Sequence, residues 1–203
     1  MSKQARFPLN AITLLLLILA PLTIFGQGYK KPPKEVLDIL NAPVTPTALT
    51  SPTRDNVLLL TGLRYPPLAD LAQPMLRLAG LRINPASNSP HRFPYSVEMS
   101  LKRIADGTEI KIQLPPGAKV SGLQWSHDGK LFAFLNTTAK GVEVWVGESS
   151  TGKIRQLKSV SANSAFGDAL DWMPDSKTLI VQLIPTGRGA QPADGRVRVH
   201  DQG

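Results

Sequence analysis

The stretch VSGLQWSHDGKLFAF at residues 120–134, continued by GVEVWV at 141–146 and TGKIRQL at 151–157, decides the fold. Leu123, Trp125, Leu131, Ala133, Val142, Val144 and Val146 fall at alternate positions, which sets one apolar face on each of several short strands. Asp128 with Gly129, and Thr151 with Gly152, supply the positive-φ residue and the local side-chain hydrogen bonds that tight hairpins require. The string therefore reads as strand, turn, strand, short loop, strand, turn, strand. A four-stranded antiparallel sheet is expected, best defined over 119–157.

The Trp-Ser-x-Asp-Gly-Lys element returns as WMPDSKTLIV at 172–181, with its tryptophan 47 residues beyond Trp125. That spacing matches the roughly 40–50 residues of a β-propeller blade. A third, worn copy is TSPTRDNVLLL at 50–60, with Thr50 in the tryptophan's place and a turn that reads one residue longer. The expected class is all-β: a partial β-propeller of about two to three four-stranded antiparallel blades, following an N-terminal signal peptide. Trp125 and Trp172 are expected between sheets, and Asp128 and Asp175 in turns.

Lys3 and Arg6 precede an uncharged apolar run over 11–25 that is broken by Pro21 and followed by Gly26, Gln27 and Gly28. A positive start, a short apolar core and a small residue at its exit describe a secretory signal peptide, here residues 1–27. The run is shorter than the roughly 20 residues of a stable spanning helix, so the membrane enters only as the route of export. With no cysteine in the chain, lipid-modified cysteine, disulfides and thiolate metal sites are excluded. The reading is an exported bacterial protein of the periplasm or the extracellular space. Without residues 1–27 the chain keeps 176 residues, and its formal charge falls from +8 to +6 with the loss of Lys3 and Arg6. The basic residues are scattered and lack interleaved aromatics, which argues against a nucleic-acid partner.

Residues 28–46 read as a leader whose prolines permit one or two helical turns near EVLDIL at 35–40. Residues 47–192 read as the propeller region. Strands are expected at 57–61, 95–103, 109–114, 121–125, 131–137, 142–147, 154–157, 169–172 and 178–183. A loop insertion at 62–94 interrupts the pattern. Its prolines and Gly80 forbid sustained periodicity, so it should fold back as an ordered loop with a helical turn near 68–72 and an extended end near 81–84. Residues 193–203 form a divergent tail.

Four strings give the chain a resemblance: YKKPPKEVLDILNAP at 29–43, PPLADLA at 66–72, LAGLRINP at 78–85 and IPTGRG at 184–189. In combination and order they resemble the amino-terminal propeller region of the glutamyl endopeptidase branch of the prolyl oligopeptidase family of serine peptidases. The resemblance implies a propeller joined to a carboxy-terminal α/β-hydrolase domain bearing a Ser-Asp-His triad, with peptide substrates cleaved after acidic residues. It also makes Arg82, Asn84 and Arg188 candidates for contact with substrate or with that domain. Asp70, Arg82 and Asn84 have a plainer reading as side chains that hold the insertion together.

The catalytic chemistry itself is absent from the sequence. A hydrolase of this kind carries its nucleophile at a Gly-x-Ser-x-Gly elbow, and no such string occurs among the 203 residues; GESSTG at 147–152 misses the spacing and lies in a hairpin. His91, His127 and His200 sit in turns or the tail with no triad or metal-ligand spacing, so no catalytic residue, metal or cofactor is assigned. The leading expectation is the non-catalytic propeller portion of an exported serine peptidase, its partner the missing hydrolase domain. The rival is a stand-alone periplasmic propeller-like binding or scaffolding protein.

Overall fold

The structure, a computed structural model, describes residues 31–185, 187 and 189. The expected signal peptide at 1–27, the tail and Arg188 lie outside the described residues. The chain forms two compact units, Met1–Ala42 and Pro43–Gly203. In the first, helix α1 (Lys34–Leu40) follows Pro33, and Lys34 Nζ pairs with Asp38 Oδ2 at 2.5 Å one turn away. Exposed pairs of this kind contribute only about 0.2–0.5 kcal/mol. No helix among the described residues is long and apolar enough to cross a membrane.

The second unit is built of antiparallel strands: β1 (Thr47–Thr50), β2 (Asn56–Gly62), β3 (Leu76–Leu78), β4 (Leu81–Asn84), β5 (Ser89–Pro90), β6 (Ser96–Arg103), β7 (Glu109–Lys111), β8 (Val120–Trp125), β9 (Leu131–Thr138), β10 (Gly141–Glu148), β11 (Ile154–Ala162), β12 (Leu170–Trp172) and β13 (Leu179–Val181). Strands β1, β2, β6 and β7 pair in that order, and β8 to β11 pair as a second four-stranded meander. One pair, Ser96 with Val120, joins the two. Strands β12 and β13 form a separate two-stranded sheet. The antiparallel β class and the four-stranded meander over 119–157 are as the alternation implied.

A common register underlies the repeat. Thr50 pairs with Val57, Trp125 with Phe132, and Trp172 with Leu179. Each pair closes a turn of the same length, in which Ser51 N–H donates to Asn56 O, Ser126 N–H to Leu131 O and Met173 N–H to Thr178 O, at 2.8, 2.8 and 2.9 Å. The first copy therefore has no extra residue. The sequence reading gave it one extra residue, whereas the backbone puts Thr53 and Arg54 in the places of Asp128 and Gly129. Arg54, Gly129 and Ser176 all take the left-handed conformation there, with φ of 59°, 67° and 57°. The three turns touch: the Asp128 N–H donates to Ser176 Oγ at 3.0 Å, and a Cβ on Gly129 would fall 2.6 Å from Thr53 Oγ1. Asp128 and Asp175 are turn formers, their Oδ1 atoms accepting from the N–H groups of Lys130 and of Lys177 and Thr178. Bonds from the Thr178 hydroxyl and then from these amides hold the Asp175 carboxyl down at about 2.

Other boundaries differ from the sequence reading. The short, largely exposed β1 escaped it because 47–50 shows no apolar alternation, and β11 runs on to Ala162 past a register shift between Glu143 and Trp145. β7 ends at Lys111, beyond which Leu114 N–H bonds back to Ile112 O.

Alternate side chains of β9 serve two cores. Phe132 and Phe134 pack with Leu58, Met99, Leu101 and Val120, while Ala133 and Leu135 pack with Val144, Leu170 and Trp172. The second meander is thus covered on both faces. Trp172 is buried between sheets as its spacing suggested; Trp125 is half-buried, its indole N–H donating to Leu49 O at 3.1 Å. Val181 packs against the second core, whereas Ile180 and Leu183 are exposed.

Gly147 pairs with Phe132 across β9 and β10, and the ring lies where a side chain would stand: a Cβ would fall 2.1 Å from Phe132 Cζ. Glycine here makes room for a fully buried aromatic. Gly147→Ala is therefore expected to lower stability by about 1–3 kcal/mol through overpacking, read as a lower urea midpoint at unchanged slope. An unchanged midpoint would show that the ring has another place to go.

Candidate functional site

The insertion leaves the sheet at Gly62 and returns at Ser96, which are paired with each other. Between them stand the four-residue helix α2 (Leu68–Leu71) and a separate three-stranded sheet, β3 to β5. None of these strands is hydrogen-bonded to the main sheet. The helical turn at 68–72 and the extended segment at 81–84 match the sequence reading; β3 and β5 are additions, too short to show a period.

Beneath the insertion lies a cleft of about 580 Å³, within the roughly 300–1,000 Å³ of small-ligand sites. Its insertion wall includes Leu71, Asn84, His91, Arg92 and Phe93, and its opposite wall Tyr95, Lys119 and Asn136. In its lining Asp70 accepts two bonds, from Tyr95 Oη at 2.7 Å and from Lys119 Nζ at 2.5 Å. The ammonium also lies over the Tyr95 ring, 5.3 Å from its centroid, a cation–π contact. With side chains 31% and 20% exposed, Lys119 and Asp70 are better shielded than the other ion pairs among the described residues. Desolvation works to raise the Asp70 carboxyl, but the Lys119 and Tyr95 bonds outweigh it and hold it below its ordinary range. Desolvation first, then the bond to Asp70 and its charge, push the Tyr95 phenol up to about 12.

Lys119 is fixed from behind. Asn136 Oδ1 accepts its backbone N–H at 2.9 Å, and its carbonyl accepts from Thr137 N–H. Asn136 in turn donates to Glu143 Oε2, which also accepts from the Trp145 indole. On the other wall His91 Nε2 donates to Gln73 O at 2.9 Å, as it must to a carbonyl, leaving Nδ1 buried and without a partner. His91 is thereby built into the insertion, whereas His127 is exposed in its turn.

Of the residues singled out in the sequence, Asn84 lines the cleft and accepts the Ala86 N–H through Oδ1, a turn-holding role. Arg82 is exposed on β4, outside the cleft lining, its carbonyl accepting from His91 N–H. Asp70 ties the insertion to the sheet, in line with the plainer reading. Lys119 and Tyr95 went unrecognised, since their contacts with Asp70 span 49 and 25 residues of chain and leave no local signal.

Comparison with known proteins gives relatives in sequence. No family model matches the chain. It is 37% identical over 180 residues to a probable chloroplastic glutamyl endopeptidase of Arabidopsis thaliana, and 35% identical over 181 residues to one of Oryza sativa subsp. japonica. Each alignment covers 82% of this chain but only 18% and 19% of the relative, so the chain spans about a fifth of their length. Among solved structures, Pyrococcus horikoshii acylaminoacyl peptidase is similar at 17% identity and a TM-score of 0.38, over 66% of this chain and 17% of that one. The sequence similarity makes this chain a relative of part of proteins named as peptidases.

The Asp70 carboxylate should hold the insertion down until acid removes its charge. A carboxyl depressed by folding contributes stability above its unfolded value of about 3.9 that is lost as pH falls through the lower folded value. Tyr95 has the opposite sign: its contribution is whole below about 10 and is lost as pH rises through about 12. Spectrophotometric titration should show one tyrosine ionising near 12, absent in Tyr95→Phe and shifted toward about 10 in Asp70→Asn. Ordinary ionisation of every tyrosine would contradict the pairing.

Proposed function

We propose that this chain is the amino-terminal, non-catalytic propeller portion of an exported serine peptidase of the glutamyl endopeptidase branch of the prolyl oligopeptidase family. One observation carries the reading: 37% identity across most of this chain with a stretch amounting to 18% of a protein of that name. The 203 residues contain no nucleophile elbow, so the acyl-transfer machinery is assigned to polypeptide beyond them. There a serine activated by histidine would attack the scissile carbonyl, with backbone N–H groups holding the oxyanion. The two four-stranded meanders, the repeated turn register and the 47-residue tryptophan spacing support blades of a propeller. On this reading the partners are an α/β-hydrolase domain and peptide substrates. Lys3, Arg6 and the apolar run at 11–25 support export, whereas both relatives are named as chloroplastic.

A chimera tests the assignment. Residues 47–185 placed in the corresponding segment of the Arabidopsis relative should preserve its labelling by a fluorophosphonate serine probe and its endopeptidase activity, while the 203-residue chain alone takes no label. A folded but inactive chimera, or stoichiometric labelling of the lone chain at Ser149 or Ser150, would overturn the reading.

A further inference from the structure

Two donors, each one residue ahead of a strand of the main sheet, converge on a single carboxylate, and that carboxylate belongs to the insertion. Tyr95 and Lys119 lie beside the Ser96–Val120 pair that joins the two meanders, and the Lys119 backbone is pinned by Asn136 and Thr137. Their backbone placement follows from the sheet junction. Asp70 comes from a four-residue helix in a segment none of whose strands pairs with the main sheet. The receiving pair is built in; the carboxylate it holds is tethered. One N–H⁺ and one O–H directed at the two oxygens of one carboxylate make a charge-assisted receptor, and the adjoining cleft has space for the body of a ligand beside Arg92 and Phe93.

We propose that Tyr95 Oη and Lys119 Nζ form a carboxylate-binding site that Asp70 fills from within the chain, and that a carboxylate-bearing ligand takes when Asp70 withdraws. Ligand and Asp70 are alternatives, because both need the same two donors and two carboxylates side by side repel. The recognised chemistry is a monocarboxylate, from an acidic peptide side chain or from a peptide carboxy-terminus. Phe93, with its ring 5.7 Å from that of Tyr95, offers an apolar wall to the rest of such a ligand. As a tethered competitor at an effective concentration on the order of millimolar, Asp70 keeps external binding weak. The proposal stands independently of the peptidase reading.

The test uses the full chain, with binding followed by shifts of the Tyr95 and Lys119 amide resonances. Three probes are titrated: N-acetyl-glutamate α-amide for a side-chain carboxylate, N-acetyl-glycine for a terminal one, and N-acetyl-glutamine α-amide as the neutral control. Asp70→Ala should bind at least one carboxylate about tenfold or more tighter than the wild type, and which one identifies the source. The glutamine control should not gain. Adding Lys119→Met should abolish the gain, and adding Tyr95→Phe, which keeps the ring, should weaken it. Unmoved β9 and β10 resonances certify the fold; should Asp70→Ala lose them, Asp70→Asn, which keeps the side-chain volume, must show the gain instead. Equal carboxylate affinity in wild type and both variants, or an equal gain for the glutamine control, would overturn the proposal.

Discussion

Phe132 and Phe134 are the side chains on which the two meanders close. Each is wholly buried, the rings stack with centroids 6.5 Å apart, and Trp145 extends the stack beside Phe134 at 6.2 Å. A lone antiparallel sheet of four short strands would leave such a face in water, and burying one large apolar side chain is worth about 1.5–3 kcal/mol. Net stability of a domain is only about 5–15 kcal/mol. The sheets are therefore obliged to stack, and stacking fixes the rest: it brings the three inner turns into contact and sets β6 beside β8. Tyr95 and Lys119 become neighbours through that same β6–β8 junction. The cleft is a consequence of how the sheets pack.

The turns show how local chemistry and tertiary contact reinforce each other. Ser51 and Ser126 occupy equivalent places, and each hydroxyl accepts backbone N–H groups of its own turn, those of Asp55 and Asn56 in one and of Leu131 in the other. In the third copy Met173 stands at that place, and Asp175 supplies the bonds instead. Different side chains satisfy one backbone path. This explains why Thr50, Trp125 and Trp172 keep equivalent registers although the first copy has lost the tryptophan and the Asp-Gly pair.

Much of the architecture was legible because its causes are local. Period-two alternation from Leu123 to Val146 and the turn residues Asp128, Gly129, Asp175 and Gly152 announced strands and hairpins directly. The worn copy misled because Thr53 and Arg54 stand where the second copy has Asp128 and Gly129, and only the backbone bonding resolves the register. The site was less legible. Asp70 drew notice as a polar residue in a proline-rich excursion, but its partners lie far along the chain, and a lysine before a strand looks like any solvated charge. The place made for Phe132 by Gly147 was equally hidden, since a glycine inside a strand does not say which ring needs the room.

The central claim is that the two meanders owe their stability to each other across the Phe132 and Phe134 layer. Native-state hydrogen exchange at increasing, sub-denaturing urea measures this directly, with amides of β2 and β6 compared against those of β9 and β10. Mutual dependence gives the two sets one common opening free energy and one urea dependence. If β2 and β6 instead open at distinctly lower free energy while β9 and β10 stay protected, the second meander is stable alone and the claim is wrong.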